Sequence, residues 1–242
     1  MLELKNITKK YGEKVALSDV SMRLTEGVYG LLGPNGAGKS TLMNVITENL
    51  KPDGGEVFWD GRNINKWKKE YRSILGYAPQ QQGLYDTFTG KRFLNYMGTL
   101  KEIPKKEMRN EIERVAGYVN LMQVLDKPIR TYSGGMKQRL LIAQSIMGNP
   151  KLLIMDEPTA GLDPKERIRI REKIKELSEG KIIVIATHVV SDIESIAKEI
   201  VILKKGDLIA KAPVSELCKR YGDVNGLEDV YMHIFQDEVE ND

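Results

Sequence analysis

A chain of 242 residues, 41% hydrophobic and 29% charged, has the composition of one large globular domain or two small ones, which excludes a fibre or a flexible tail. Its 37 Lys and Arg against 34 Asp and Glu leave a formal charge of only +3, too small a surplus to drive binding to nucleic acid or anionic lipid without a concentrated patch, and the sequence has none. The lone Cys218 excludes an intrachain disulfide, the start MLELKNITKKYG has no apolar signal core, and the longest aliphatic runs fall far short of the ~18 residues of a membrane helix. A cytosolic chain is expected, with any membrane role supplied through a partner.

The first sixty residues alternate. Leu2 and Leu4, then Val20, Met22 and Leu24, are spaced by polar residues, and Glu56–Trp59 runs into the turn pair Asp60-Gly61, a pattern of antiparallel strands with hairpins. Between them Val28–Leu32 is a short aliphatic run without alternation, as are Leu152–Met155 and Ile182–Ala186 further on. Such runs predict strands covered on both faces, as in a parallel sheet. Each ends in polar chemistry, at Gly33, at Asp156 and Glu157, and at Thr187 and His188, and the carboxyl ends of parallel strands are where open α/β sheets put their ligands.

From about Thr89 to Gly148 the period becomes helical, with Phe93, Tyr96, Met97 and Leu100, then Met108, Ile112, Val115 and Val119, on single faces. This predicts a helical insertion, about 84–148, between two halves of the sheet. Pro104 and Pro128 punctuate it, and Ser133 is placed to cap a helix that runs to Ile146 and stops at Gly148, Asn149 and Pro150. Lys165–Leu177 sets Ile170, Ile174 and Leu177 beside many basic residues, a helix with a solvated face or a basic docking surface. The ending QDEVEND reads as a frayed acidic tail.

Gly33–Thr41, GPNGAGKST, fits the phosphate-loop pattern GxxxxGK followed by Ser or Thr, between a buried strand and a helix containing Leu42, Val45 and Ile46. Gly36 and Gly38, among Pro34, Asn35 and Ala37, let backbone N–H groups turn inward around a β-phosphate while the helix points its positive end at the same oxygens. Lys39 is placed to neutralise the β and γ oxygens, Ser40 to offer its hydroxyl to Mg²⁺, and Thr41 to reach the α-phosphate. Asp156 presents a carboxylate to the Mg²⁺ shell, and Glu157 is a second acid available to orient and polarise a water. Alone, that pair is equally an ordinary solvated strand end; behind a phosphate loop it points to hydrolysis rather than transfer. Mg²⁺ carried by a bound nucleotide is the only metal expected, because no His or Cys cluster has the spacing of another metal site.

Tyr132–Arg139, YSGGMKQR, resembles the LSGGQ signature of ATP-binding cassette (ABC) proteins, with Tyr for Leu and Met for Gln. Other elements of that family follow in its order: Tyr11 as the adenine-stacking aromatic, Gln80 in GYAPQ as the Q-loop residue, Ala160–Asp163 as the D-loop, and His188 as the switch histidine. The resemblance spans about Leu2–Pro213 and implies an α/β P-loop NTPase fold with a mainly parallel core sheet, an N-terminal antiparallel β subdomain and an inserted α-helical subdomain. Residues 1–213 would form the nucleotide-binding domain and 214–242 a short C-terminal extension.

The resemblance further implies an ATPase in which two cassettes pack head to tail, so that Ser133, Gly134 and Gly135 of one close over ATP on the phosphate loop of the other. Gln80 would share the Mg²⁺ shell, partly through water, and Asp163 would lie in the D-loop between the two. One cassette per chain implies a homodimer or a second cassette, peripheral on the inner face of the cell membrane through a separate membrane permease, with no nucleic acid expected. The YSGGM form and the ending Leu227–Phe235, LEDVYMHIF, resemble the ABC-2 type export group.

The residues taken alone leave alternatives open. Tyr11 fits a half-buried strand end, Gln80 with Gln81 and Gln82 a polar loop, and His188 a hydrogen-bonded core edge. Leu84, Tyr85 and Phe88 fit a permease contact or local core, and His233 lies outside every motif. Rival functions are a soluble nucleotide switch acting on ribosomes or DNA, and a small-molecule P-loop kinase, which would need neither Ser133, Gly135 nor His188.

Overall fold

A computed structural model describes residues 1–80 and 83–239, without the side chains of 237–239; Gln81 and Gln82, and the last three residues of the acidic ending, lie outside the described residues. In chain order β1 (Leu2–Tyr11) and β2 (Lys14–Leu24) make a hairpin, and β3 (Gly27–Leu32) leads through the glycine-rich loop into α1 (Lys39–Ile46). A second hairpin, β4 (Gly54–Trp59) and β5 (Arg62–Asn63), is followed by α2 (Lys68–Ser73) and β6 (Leu75–Ala78). Three helices come next, α3 (Gly90–Leu100), α4 (Lys105–Tyr118) and α5 (Gly134–Ser145). The remainder alternates as β7 (Leu152–Asp156), α6 (Pro164–Leu177), β8 (Ile182–Ala186), α7 (Ser191–Glu194), β9 (Glu199–Lys204) and β10 (Asp207–Ala212), ending in α8 (Val214–Arg220) and α9 (Leu227–Val239).

These strands form two sheets. One is antiparallel in the order β2-β1-β4-β5; the other runs β10-β9-β3-β8-β7-β6 and is parallel except where β10 turns back along β9. The Asp60-Gly61 turn holds φ of 48° and 78°, the paired left-handed residues of a type I′ hairpin, whose twist matches that of the strands it joins.

The missing alternation in the aliphatic runs has a direct cause. Leu153 and Met155 of β7 and Ile183 and Ile185 of β8 enter the core beneath the helices, while Leu152, Ile154, Ile182 and Val184 enter a second core beneath the antiparallel sheet and α1. Each side chain so buried contributes about 1.5–3 kcal/mol of transfer free energy, so the central sheet is the partition from which both cores are built.

Side-chain caps set the starts of three helices. Thr89 Oγ1 accepts from Arg92 N at 3.1 Å, Ser133 Oγ from Met136 N at 3.2 Å and Asp163 Oδ1 from Glu166 N at 3.0 Å, each satisfying a leading amide that the helix itself leaves unpaired. In α3 the buried face is Phe93, Leu94 and Gly98 with Met97 partly covered, whereas Tyr96 and Leu100 are exposed. The expected face was therefore rotated by about one residue, because Gly98 lets the helix approach the Met108 side chain.

Seven elements had no forecast: α2, β6, α7, β9, β10, α8 and α9. β6 is only four residues, LGYA, and is held by position rather than propensity, paired with β7 and covered by α5. The described part of the acidic ending, Gln236–Val239, is helical, as the last turn of α9. Leu227, Val230 and Phe235 are buried in the larger core, and Lys204 Nζ donates to the Ile234 carbonyl at 2.7 Å.

A Cβ at Gly76 would overlap the backbone carbonyl oxygen of Ser145 in α5. Gly76→Ala should therefore destabilise the chain by about 1–3 kcal/mol in denaturant unfolding; an unchanged midpoint would show that β6 and α5 are not in this close contact.

Candidate active site

The carboxyl edge of the six-stranded sheet opens into a cleft of about 1070 Å³. Its floor is the loop from Gly33 to Gly38. Gly38 sits at φ 108°, and a Cβ there would come 2.6 Å from the Ala16 carbonyl of β2, so this position needs glycine both for its left-handed backbone and for its packing. No side chain caps α1, leaving its leading amides, with the positive end of the helix, directed at the cleft.

Lys39 opens that helix and folds back over the loop. Its Nζ donates to the carbonyls of Gly33 at 2.5 Å and Pro34 at 3.0 Å. Burial pushes its pKa below the usual lysine value, while the charges of Glu157 and Asp156 oppose the shift. The cation thus rests on backbone dipoles and has exchangeable partners.

Asp156 ends β7 and is half-buried; burial, reinforced by the neighbouring Glu157 and opposed by Lys39, raises its pKa to about 6. Glu157, 6% exposed, adopts φ 49°, an uncommon backbone for a glutamate that persists only where neighbours over-determine it. Its N–H donates to the Ala186 carbonyl at 2.8 Å, and its own carbonyl accepts from Gln138 Nε2 at 3.1 Å. Its carboxylate accepts from Thr187 Oγ1 at 3.0 Å and from His188 N at 2.9 Å, with the His188 ring Nδ1 at 2.7 Å. The imidazole itself remains largely open to solvent.

Thirteen of the residues singled out from sequence line this one cleft: Tyr11 on its rim, Gly33, Pro34, Asn35, Gly36, Gly38, Lys39, Ser40 and Thr41 on its floor, and Gln80, Asp156, Glu157 and His188 along its wall. Tyr11 is 52% exposed at the end of β1, with Lys9 Nζ 5.8 Å from the centre of its ring. Ala37 lies buried beneath the loop, its N–H donating to Pro34 O at 3.2 Å and its carbonyl accepting from Gly206 N at 3.0 Å. Ser133, Gly134 and Gly135 stand apart at the head of α5, and Asp163 at the head of α6; none lines this chain's own cleft.

The structure adds residues that the motifs did not indicate. Lys205, Tyr231 and Phe235 also line the cleft, brought there because α9 lies against the turn after β9. Buried Gln138 and Thr187 hold Glu157 from two sides. Thr187 adjoins the switch position and was legible as the polar end of a buried strand. Gln138 carried no signal beyond being a polar residue in a helix that proves buried all round from Leu140 to Ser145.

A family profile described as ABC transporter matches residues 17–160. The chain belongs to the ABC transporter family. LnrL, the linearmycin resistance ATP-binding protein of Bacillus subtilis (strain 168), is 37% identical over 224 residues, covering 92% of this chain and 72% of that protein. The Nod factor export ATP-binding protein I of Ralstonia nicotianae is 34% identical over 219 residues, covering 90% of this chain and 68% of that one. Among solved structures, a bacterial ABC transporter cassette determined as a dimer superposes with a TM-score of 0.80 at 30% identity, covering 88% of this chain and 98% of that one. The chain is accordingly an ABC transporter ATPase subunit of P-loop NTPase fold, most like the ABC-2 type export group.

The raised pKa of Asp156 has a consequence for the nucleotide-free chain. Its folded value of about 6 lies above the ordinary 3.8, so between those values the folded chain holds a proton that the unfolded chain has lost. That contribution to stability is present at low pH and disappears as pH rises through the folded value. Asp156→Asn should therefore be more stable than wild type at about pH 7.5, with the gain vanishing near about pH 4. Equal gains at both pH values in denaturant titrations would contradict the raised pKa.

Proposed function

We propose that this cleft binds ATP together with Mg²⁺ and hydrolyses it when a second cassette closes over the γ-phosphate. The reading rests above all on one arrangement: an uncapped helix, a lysine held on loop carbonyls, and two tandem acids face the same open cleft. Tyr11 would stack on adenine. Lys39 would leave the Gly33 and Pro34 carbonyls for the β and γ oxygens, and the amides of Gly33–Thr41, through Pro34, Asn35, Gly36, Ala37 and Gly38, would wrap the phosphates.

Among the described residues no cluster of three or more His, Cys, Asp and Glu is placed to hold a metal by itself. Ser40, Asp156 and Gln80 would therefore complete a Mg²⁺ shell built largely from phosphate oxygens and water; the ion would neutralise charge on the transferring phosphoryl group. Glu157 is the catalytic base in this reading. It would accept a proton from the attacking water as the new bond to γ-phosphorus forms and the bridging oxygen leaves with ADP. For that its carboxylate must exchange part of its bonding to His188, whose exposed imidazole would turn to the γ-phosphate.

Ser133, Gly134 and Gly135 serve the partner's site. Their separation from this chain's cleft and the dimeric state named for the superposed cassette support that assignment. A γ-phosphate held between the amino ends of α1 and the partner's α5 joins the two chains, and Asp163 lies in the loop between those sites. The partner is a second copy or another cassette.

No described helix is long and apolar enough to cross a membrane, so passage belongs to a separate permease that holds the cassette on the inner membrane face. Its docking surface is the aromatic patch at the start of the helical insertion. Tyr85 stacks on Phe88 at 4.8 Å, Tyr96 meets both edge-on, Arg92 covers the Phe88 ring, and Leu84 packs below. Residues 1–213 form the nucleotide-binding domain in this reading, and 214–242 extend it.

Glu157→Gln should keep ATP binding and lose turnover by a factor on the order of 10² to 10⁴, measured as phosphate release beside equilibrium nucleotide binding. Turnover close to wild type would remove Glu157 from the catalytic role.

A further inference from the structure

α5 carries two side-chain amides into the protein interior. Gln144 Nε2 donates to the Tyr77 carbonyl at 2.6 Å, in β6 just before Gln80, and Gln138 Nε2 donates to the Glu157 carbonyl at 3.1 Å. Both glutamines are buried. A primary amide buried without a partner is costly, so each bond is strongly favoured over separation.

The Gln138 bond differs from the others that reach Glu157. The main-chain N–H and carboxylate of Glu157 are bonded to Ala186, Thr187 and His188, at the end of β8 and in the loop that follows, and its carbonyl also accepts from Ala160 N at 3.1 Å in the local turn after β7. Among the described residues, Gln138 alone is seen to hold Glu157 from the helical insertion. It does so at a residue whose φ of 49° depends on its surroundings.

The same helix begins at Ser133, and Gln138 lies just over one turn along it. A helix of this length transmits displacement as a rigid body, because its backbone bonds resist stretching more than its side-chain contacts resist sliding.

We propose that Gln138 couples the two nucleotide sites of a dimer. The inference rests on the reading above, in which the head of α5 meets the γ-phosphate on the partner's loop. Occupation of that remote site steadies α5, Gln138 passes this to the backbone of Glu157, and the glutamate at this chain's own site is thereby poised. Gln138 is a positioning residue, since it touches neither nucleotide nor water. Each chain of the dimer carries one such link, so filling one site prepares the other and ATP turnover is positively cooperative.

The test uses the full chain, with Gln138→Met retaining length and volume without the donor, and Gln138→Asn retaining the amide but drawn back by one carbon. ATP turnover is followed against ATP concentration, with the melting temperature of each variant. For Gln138→Met we expect kcat to fall about tenfold, KM for ATP to stay at its wild-type value, the melting temperature to fall by no more than the few degrees that one lost buried hydrogen bond costs, and the Hill coefficient to drop to unity. In a Glu157→Gln background the ATP-held dimer still forms, because Ser133 and its neighbours are untouched. Should the Met variant fail to fold, the Asn variant carries the same expectation.

A Hill coefficient unchanged from wild type would overturn the coupling role, whatever the change in melting temperature. A parent chain that turns over no ATP, or whose turnover ignores Glu157→Gln, would overturn the underlying reading as well, and that failure shows before Gln138 is altered.

Discussion

The structure depends on a charge arrangement at the carboxyl edge of one parallel sheet. Lys39 faces Asp156 and Glu157 across a cleft, and its ammonium is held meanwhile by the Gly33 and Pro34 carbonyls of its own loop. Those carbonyls are strong enough to stabilise a half-buried cation and neutral enough to release it to a phosphate. The acids cannot simply take the lysine, because both are anchored at the end of β7, and Glu157 also by Ala186 at the end of β8 and by Thr187 and His188 beyond it. Three adjacent strands of a rigid sheet, β3, β8 and β7, set these distances, so the site is as firm as the two cores that clamp the sheet.

Around that fixed centre lie the parts able to move. His188 is exposed at its ring while its backbone is tied to Glu157, so the imidazole can turn without disturbing the strand. Thr159, just past Glu157, donates to the buried carboxylate of Asp192, joining the loop before α6 to the segment after His188. The hydrogen bonds of Gln138 and Gln144 bring the signature helix into the same network. A displacement at any of these elements is felt at Glu157, where the backbone is already in an uncommon conformation. ATP hydrolysis by a transporter subunit must convert chemistry into motion, and an acid held from several elements at once suits that task.

The phosphate loop, the tandem acids and the three aliphatic strands were legible in the sequence because each is local. A run of residues such as Val28–Leu32 followed by Gly33–Thr41 determines its own conformation and points its own amides. Ser133 was legible as a cap for the same reason. What stayed hidden is set by tertiary placement. β6 is a strand because β7 offers it a partner and α5 a cover, not because LGYA favours extension. Gln138 matters through a residue nineteen positions away. Phe235 and Tyr231 reach the cleft through α9, whose seat against Lys204 no periodicity reveals. Tyr96 and Leu100 were misplaced on α3 because a small residue, Gly98, packs more closely than the larger ones that guide a helical pattern.

The central claim is that a working site joins the phosphate loop of one chain to the signature residues of another. Complementation tests it directly: one chain carries Lys39→Ala, a second carries Ser133→Glu, and ATP turnover is measured for each alone and for the two mixed. Each alone leaves every site of its own dimer with one damaged half. In a mixed dimer one site receives both damaged halves and the other receives two intact ones. Turnover in the mixture well above that of either chain alone is the predicted result, and a mixture as silent as its components would contradict the account.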